Sequence, residues 1–378
     1  MSSFGLNGQG TGHWAKLGCG ALVVLLLAGG AWASTDKASW ITQSSNTLLT
    51  QMPRVDAFMW FNNYKPGVSE PDWRVVPYVP DLPDLNVVAA YNNAWHDANR
   101  SLNRGVFIDG APPVMTNLDY FEGYVGHHDR VGIFESFASS FPLASVQAIQ
   151  ARNSRPYVVW QPYDDSIGYW ARGTQSLLPL INSGQYDGTI IQWATAAKNN
   201  GGAMDIVFGH EMNGNWFNWG YLPDDYYQNG APTLVDPNAV GHNGNKPIDF
   251  INAFQRIANI FNQVGATNVN FVWDVNADFS DNFTVSYPGL AYVDRMGMNG
   301  FNWGRRTRDP NNPQWDDWRE LEQIFGPWWP GSANTYSILA GLNDLPIIIG
   351  EFGTDVPEPA TVGLLALGSL VLMRRRRR

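Results

Sequence analysis

At 378 residues, with 44% apolar and 15% charged side chains, the chain is long enough to bury a sizeable core and too apolar to remain disordered. Its net charge of −10 repels phosphate backbones and anionic bilayers, so nucleic acid is excluded as the partner that composition would select. The one cysteine, Cys19, lies in a segment expected to be removed, which excludes disulfides, thiol nucleophiles and thiolate metal sites together.

Residues 1–33 read as a signal peptide: Lys16, an apolar run from Ala21 to Ala28, then Ala31-Trp32-Ala33 as a small-x-small cleavage site. Residues 34–356 contain no repeat, low-complexity linker or charge shift and read as one catalytic barrel domain. Its part up to about residue 103 is expected to be an N-terminal extension. Val55 to Phe61 and Trp73 to Val79 are apolar there, but Pro71, Pro77, Pro80 and Pro83 suit an edge segment better than a central strand.

From Gly105 onward, short apolar β-branched runs alternate with stretches of helical spacing. The runs start at Gly105, Val131, Pro156, Met204, Val269, Val293 and Pro346, and the clearest helices are predicted over 189–199 and 247–264. Strands buried on both faces and separated by helices imply a parallel sheet, and this many in a row favour an α/β fold of the (β/α)8 TIM-barrel type. Only five residues separate Glu351 from Pro357, so the barrel is expected to be truncated after its seventh strand. The residues before Gly105 are the material available to cover that gap.

In such a barrel function sits where the strands end. The ends read Trp160-Gln161-Pro162, His210-Glu211-Met212-Asn213, Trp273-Asp274-Val275-Asn276, Asn299-Gly300-Phe301-Asn302-Trp303 and Glu351-Phe352-Gly353. Trp faces stack on pyranose rings while amides and carboxylates bond hydroxyls, so this ring of residues points to a sugar chain, with Asn213, Trp160, Asp274, Asn302 and Trp303 as substrate-binding residues. Glu211 and Glu351 each end an apolar run, the fourth and the seventh, which brings two carboxylates across the mouth as glycoside hydrolysis requires. His210-Glu211 has Gly214 where a zinc-protease helix needs its second His, so no metal is expected, and no cofactor motif is present. His127-His128-Asp129 reads as a solvated loop.

The segment Phe208-Gly209-His210-Glu211-Met212-Asn213-Gly214-Asn215-Trp216 resembles the acid/base segment of glycoside hydrolase family 26, best known for endo-β-1,4-mannanases. Gly297-Met298-Asn299-Gly300-Phe301-Asn302 and Pro346-Ile347-Ile348-Ile349-Gly350-Glu351-Phe352-Gly353 are similar to its sixth-strand and nucleophile segments. The resemblance implies a retaining hydrolase with Glu211 as acid/base, Glu351 as nucleophile, and His210 and Trp216 lining the subsite of cleavage. It also marks Phe301, where the family commonly has a Tyr whose hydroxyl bonds the nucleophile. β-1,4-Mannan is the first expected substrate and another β-glucan or β-xylan the second. A carbohydrate-binding barrel that does not catalyse, or does so weakly, is the competing class.

At the C-terminus, Val356-Pro357-Glu358-Pro359 is followed by a nearly apolar stretch from Ala360 to Met373 and by Arg374 to Arg378. Residues 357–378 resemble the PEP-CTERM sorting signal of Gram-negative bacteria. That resemblance implies an exosortase-type processing enzyme as partner, transient membrane contact through the apolar segment, and delivery to the cell surface or extracellular matrix.

Overall fold

In a computed structural model of the chain, residues 36–63, 73–77, 81–95, 102–110, 112, 114–164, 176–223, 236–277, 283–302, 318–326 and 334–354 are described. Eight parallel strands close into a barrel in the order β1-β2-β3-β4-β5-β6-β7-β8. They are β1 (Val55–Asn62), β2 (Asn103–Ile108), β3 (Arg130–Ser136), β4 (Arg155–Gln161), β5 (Met204–Phe208), β6 (Val269–Asn276), β7 (Arg295–Asn302) and β8 (Ile347–Thr354).

The fold class is the expected one, and the expected truncation is corrected. β1 lies within the supposed extension and pairs in parallel with both β2 and β8, Trp60 opposite Val106 on one side and Phe352 on the other. The run Val55 to Phe61 is buried on both faces, as a barrel strand must be, and Pro71, Pro77, Pro80 and Pro83 come after it rather than within it. Glu211 therefore follows the fifth strand and Glu351 stands on the eighth, still three strands apart.

Alternation along each strand sorts side chains into two cores. Ala57, Met59, Phe61, Tyr157, Val159, Val207, Val272 and Ile348 fill the barrel. Phe58, Trp60, Val158, Trp160, Phe208, Trp273 and Ile349 point outward, toward the helices. Helix α1 (Lys37–Gln51) starts at Asp36, whose Oδ1 accepts from the Ser39 N–H at 2.7 Å. Its Trp40 packs on Trp60 and Phe352, so this helix covers the seam where β1 meets β8.

Helices α2 (Leu85–Trp95), α3 (Thr116–Val125), α4 (Leu143–Gln150), α5 (Leu178–Asn182) and α6 (Asp187–Asn200) follow in chain order. Helix α7 (Pro247–Val264) has Pro at its first position, where the missing N–H costs nothing, and Gly265 at φ 81° closes it. Its stripe of Phe250, Phe254, Ile257 and Phe261 is buried against the barrel. Helices α8 (Leu321–Phe325) and α9 (Thr335–Leu342) complete the described set.

The end of the barrel away from the strand C-termini is closed by charge. Asp205, 0% exposed, takes Arg130 Nε at 3.1 Å and Arg155 Nη2 at 2.8 Å. His128 is not in a solvated loop: it is fully buried, with the Tyr91 hydroxyl 2.9 Å from Nε2 and the Gly126 carbonyl 3.0 Å from Nδ1, a structural arrangement far from the strand ends that carry the glutamates.

Candidate active site

Strand register sets the geometry of the mouth. Asn276 on β6 lies opposite Asn299 on β7, and Asn299 lies opposite Glu351 on β8. Asn276 Nδ2 donates to Glu211 Oε1 at 3.0 Å. Glu211, Asn276, Asn299 and Glu351 thus form an arc over four neighbouring strand ends, and each is nearly or fully buried.

Both glutamates reach this arc through irregular backbone. On β8, Ile349 and Phe352 both pack outward, leaving two residues where strict alternation allows one, and the pairing with β7 shifts register there. Such a bulge gives Gly350 and Glu351 together the inward slot. Glu211 has φ 52°, the left-handed region that is costly for a side chain of this kind and that clusters at functional sites. The strain is held by its neighbours: the Glu211 N–H donates to the Asp274 carbonyl at 2.9 Å, and Gly209 just before it turns at φ 57°.

The loop after β5 is fastened to β6 by a reciprocal amide pair, Asn213 Nδ2 to the Asn276 carbonyl and the Asn276 N–H to Asn213 Oδ1, each 2.8 Å. Trp216, half-buried, donates from Nε1 to Glu211 Oε2 at 2.9 Å. Its ring lies where a Cβ on Gly214 would stand 2.4 Å away, which explains the glycine at that position. Both Glu211 oxygens therefore accept a hydrogen bond, which favours the ionised form.

His210 packs its ring against Phe217 at 4.7 Å, Trp219 at 5.6 Å and Phe134 at 6.0 Å between centroids. Burial drives its pKa down to about 3, so the ring is neutral at ordinary pH. Across the mouth, Phe301 is nearly buried and packs on Trp73 at 4.9 Å and Phe61 at 5.6 Å.

Glu211, Glu351, His210, Trp216 and Asn213 are brought together. Trp160 is not: its ring is stacked between Trp193 at 4.1 Å and Phe137 at 4.4 Å, fully buried on the outer face of the barrel. Asn302 also faces outward, with Nδ2 donating to Thr354 Oγ1 and Oδ1 accepting from the Arg319 N–H. Asp274 points inward but lies beneath the mouth, 1% exposed. Trp303 falls outside the described residues. Two residues were missed. Asn276 holds Glu211, and Phe134 is 39% exposed at the mouth while stacked on Phe107 at 4.8 Å. Phe134 was visible in the run Val131 to Phe134, but nothing in that run says which face its ring takes.

Residues 355–378 match the PEP-CTERM protein-sorting motif. Endoglucanase H of Acetivibrio thermocellus is 28% identical over 263 residues, covering 68% of this chain, which spans about a quarter (24%) of the length of that relative. Among solved structures, a GH26 beta-mannanase from Bacteroides ovatus is similar with a TM-score of 0.45 and 12% identity, over 85% of this chain and 77% of that one. A Bacillus subtilis mannanase is similar with a TM-score of 0.38 and 13% identity, over 85% of this chain and 89% of that one. By its own strand topology the chain is a (β/α)8 barrel, and by the match over residues 355–378 it carries a PEP-CTERM protein-sorting motif.

Proposed function

We propose that the protein is a retaining glycoside hydrolase that cleaves a β-linked polysaccharide, β-1,4-mannan first. The observation that carries this reading is the pair of buried glutamates on strand ends three apart, Glu211 bonded by Asn276, and Asn299 standing opposite both Asn276 and Glu351 in strand register. In the first step Glu351 attacks the anomeric carbon while Glu211 gives its proton to the leaving glycosidic oxygen, forming a glycosyl ester on Glu351. In the second step Glu211, now ionised, takes a proton from water, whose oxygen displaces Glu351 and restores both groups. The hydrogen bonds from Trp216 and Asn276 suit a group that must be ionised in this second step, and neutral His210 adds no charge beside it.

The motif likeness to family 26 favours mannan, whereas the name of the endoglucanase relative favours a β-glucan as the alternative. Phe301 offers the pair no hydroxyl, and it is the observation that favours the second reading, a barrel that binds sugar and cleaves it weakly or not at all. The sorting motif supports export from a Gram-negative cell and processing by an exosortase-type enzyme, and the hydrolase reading supplies a polysaccharide as the partner; the expected membrane contact lies in residues 357–378, outside the described ones.

Substitution decides between the two. Glu351→Ala and Glu211→Ala should each lower kcat by several orders of magnitude without loss of fold. With an activated aryl glycoside, which needs little protonation, Glu211→Ala should accumulate an adduct on Glu351 visible by mass spectrometry. Activity near wild type in either variant, or no adduct, overturns the mechanism.

A further inference from the structure

A third carboxyl lies one layer below the glutamate pair. Asp274 on β6 is 1% exposed and points into the barrel, opposite Gly297 on β7. A Cβ on Gly297 would stand 2.6 Å from its Oδ1, and one on Gly350 only 2.3 Å from its Oδ2. The carboxyl therefore occupies the inward space that side chains at 297 and 350 would need. Gly350 is the first residue of the bulge that presents Glu351. The Asp274 carbonyl, in turn, accepts the N–H of Glu211 at 2.9 Å, in its left-handed conformation. One residue thus touches the backbone on which each glutamate depends, and it does so without lining the open mouth.

We propose that Asp274 is a positioning residue for the glutamate pair: its carbonyl pins Glu211 and its carboxyl, wedged against Gly350, supports the bulge that turns Glu351 inward. The proposal rests on the reading of Glu211 and Glu351 as acid/base and nucleophile. The surroundings of the wedge favour its neutral form. The groups facing it are the Tyr157 hydroxyl from β4, the Asn299 amide from β7 and the charge of Glu211, with Glu351 acting on the same Tyr157. Burial first, and the Glu211 charge second, hold the Asp274 carboxyl well above the usual carboxylate range. A neutral wedge keeps a third negative charge from the floor of a site that already holds two carboxylates.

The test uses the full chain with Asp274→Asn, which keeps shape and neutrality, and Asp274→Ala, which removes the wedge. Asp274→Asn should keep kcat within about threefold, while Asp274→Ala should lose kcat by about a hundredfold with little change in KM, the signature of a misplaced reacting group. The alkaline limb of kcat/KM should not move in Asp274→Asn. An ionised Asp274 would raise the pKa of Glu211, and its removal would shift that limb down. A readout free of activity comes from folding. With the folded carboxyl above its unfolded value of 3.8, its contribution to stability is complete below that pH and lost as pH rises. The folding constant of wild type relative to Asp274→Asn should fall as pH rises above about 4, by up to about tenfold per unit.

A pH-independent ratio overturns the neutral wedge. Wild-type kcat in Asp274→Ala overturns the positioning role, and if that variant does not melt cooperatively, Asp274→Ser replaces it with the same expected loss. An Asp274→Asn chain as inactive as Glu351→Ala also overturns it, because the acid itself would then react. If wild type hydrolyses none of the mannan, β-glucan and xylan tried, the hydrolase reading fails, and the folding ratio still decides the wedge.

Discussion

Two side chains hold Glu211 by its carboxylate, and removing one of them should change how the acid titrates. Asn276 Nδ2 stands 3.0 Å from Oε1 and is buried; Trp216 Nε1 stands 2.9 Å from Oε2 and is half-buried. A hydrogen bond to a charged group contributes about 1.5–3 kcal/mol, and about 1.4 kcal/mol corresponds to one pKa unit. Asn276→Ala should therefore raise the pKa of Glu211 by about one unit, the lower end applying because the neutral acid also loses a partner. Trp216→Phe should raise it by less, since water reaches the vacated oxygen. The main-chain groups of Asn276 still bond Asn213 in the Ala variant, so the loop after β5 keeps its anchor. The assay is kcat/KM against pH on a soluble β-glycan. Glu211 must be protonated to act, so the alkaline limb should move up by about one unit in Asn276→Ala while the acid limb, set by Glu351, stays. An alkaline limb that stays, or an acid limb that moves in its place, refutes the assignment of roles.

Three further outcomes follow from particular contacts. His210 has a folded pKa of about 3, below its unfolded value of 6.5, so unfolding takes up a proton between those limits; stability present above about 6.5 is lost as pH falls, by about 2 kcal/mol at pH 5, and chemical denaturation of wild type against His210→Asn should show that difference. Deleting residues 34–62 removes β1 and leaves β2 and β8 as open edges, so the product should show no cooperative melting and should aggregate; a soluble chain as stable as the parent would contradict the closed barrel. Phe134→Ala should raise KM by about two- to tenfold with kcat little changed, if the exposed ring stacks on substrate; a fall in kcat alone would place Phe134 in the packing around His210 instead.

Much of this arrangement was legible in the chain because parallel strands buried on both faces announce themselves as apolar runs, and Glu211 and Glu351 each terminate one. The same burial hid the rest. With both faces apolar, the sequence does not say which parity enters the barrel, so Trp160 and Asn302 read as mouth residues although both face outward. A Trp at the end of a strand is equally suited to a sugar and to the layer of helices, and here Trp193 and Phe137 claim it. The bulge at Gly350 and Glu351 has no signature beyond the glycine, and its reason, the carboxyl of Asp274, comes from a strand more than 70 residues away. β1 was read as an edge segment because prolines cluster near it, yet Asn62 at its end fixes the following chain by accepting the Val75 N–H at 2.7 Å and donating to the Val76 carbonyl at 2.9 Å.

The central claim is chemical, that the glutamate pair cleaves a β-glycan with retention of configuration. The direct measurement is proton NMR of the first products formed by the purified protein from β-1,4-mannan, with β-glucan and xylan alongside, before mutarotation mixes the anomers. Double displacement at Glu351 predicts that the β-anomer appears first and that Glu351→Ala releases none. Initial release of the α-anomer, or binding of all three polysaccharides without cleavage of any, would contradict it.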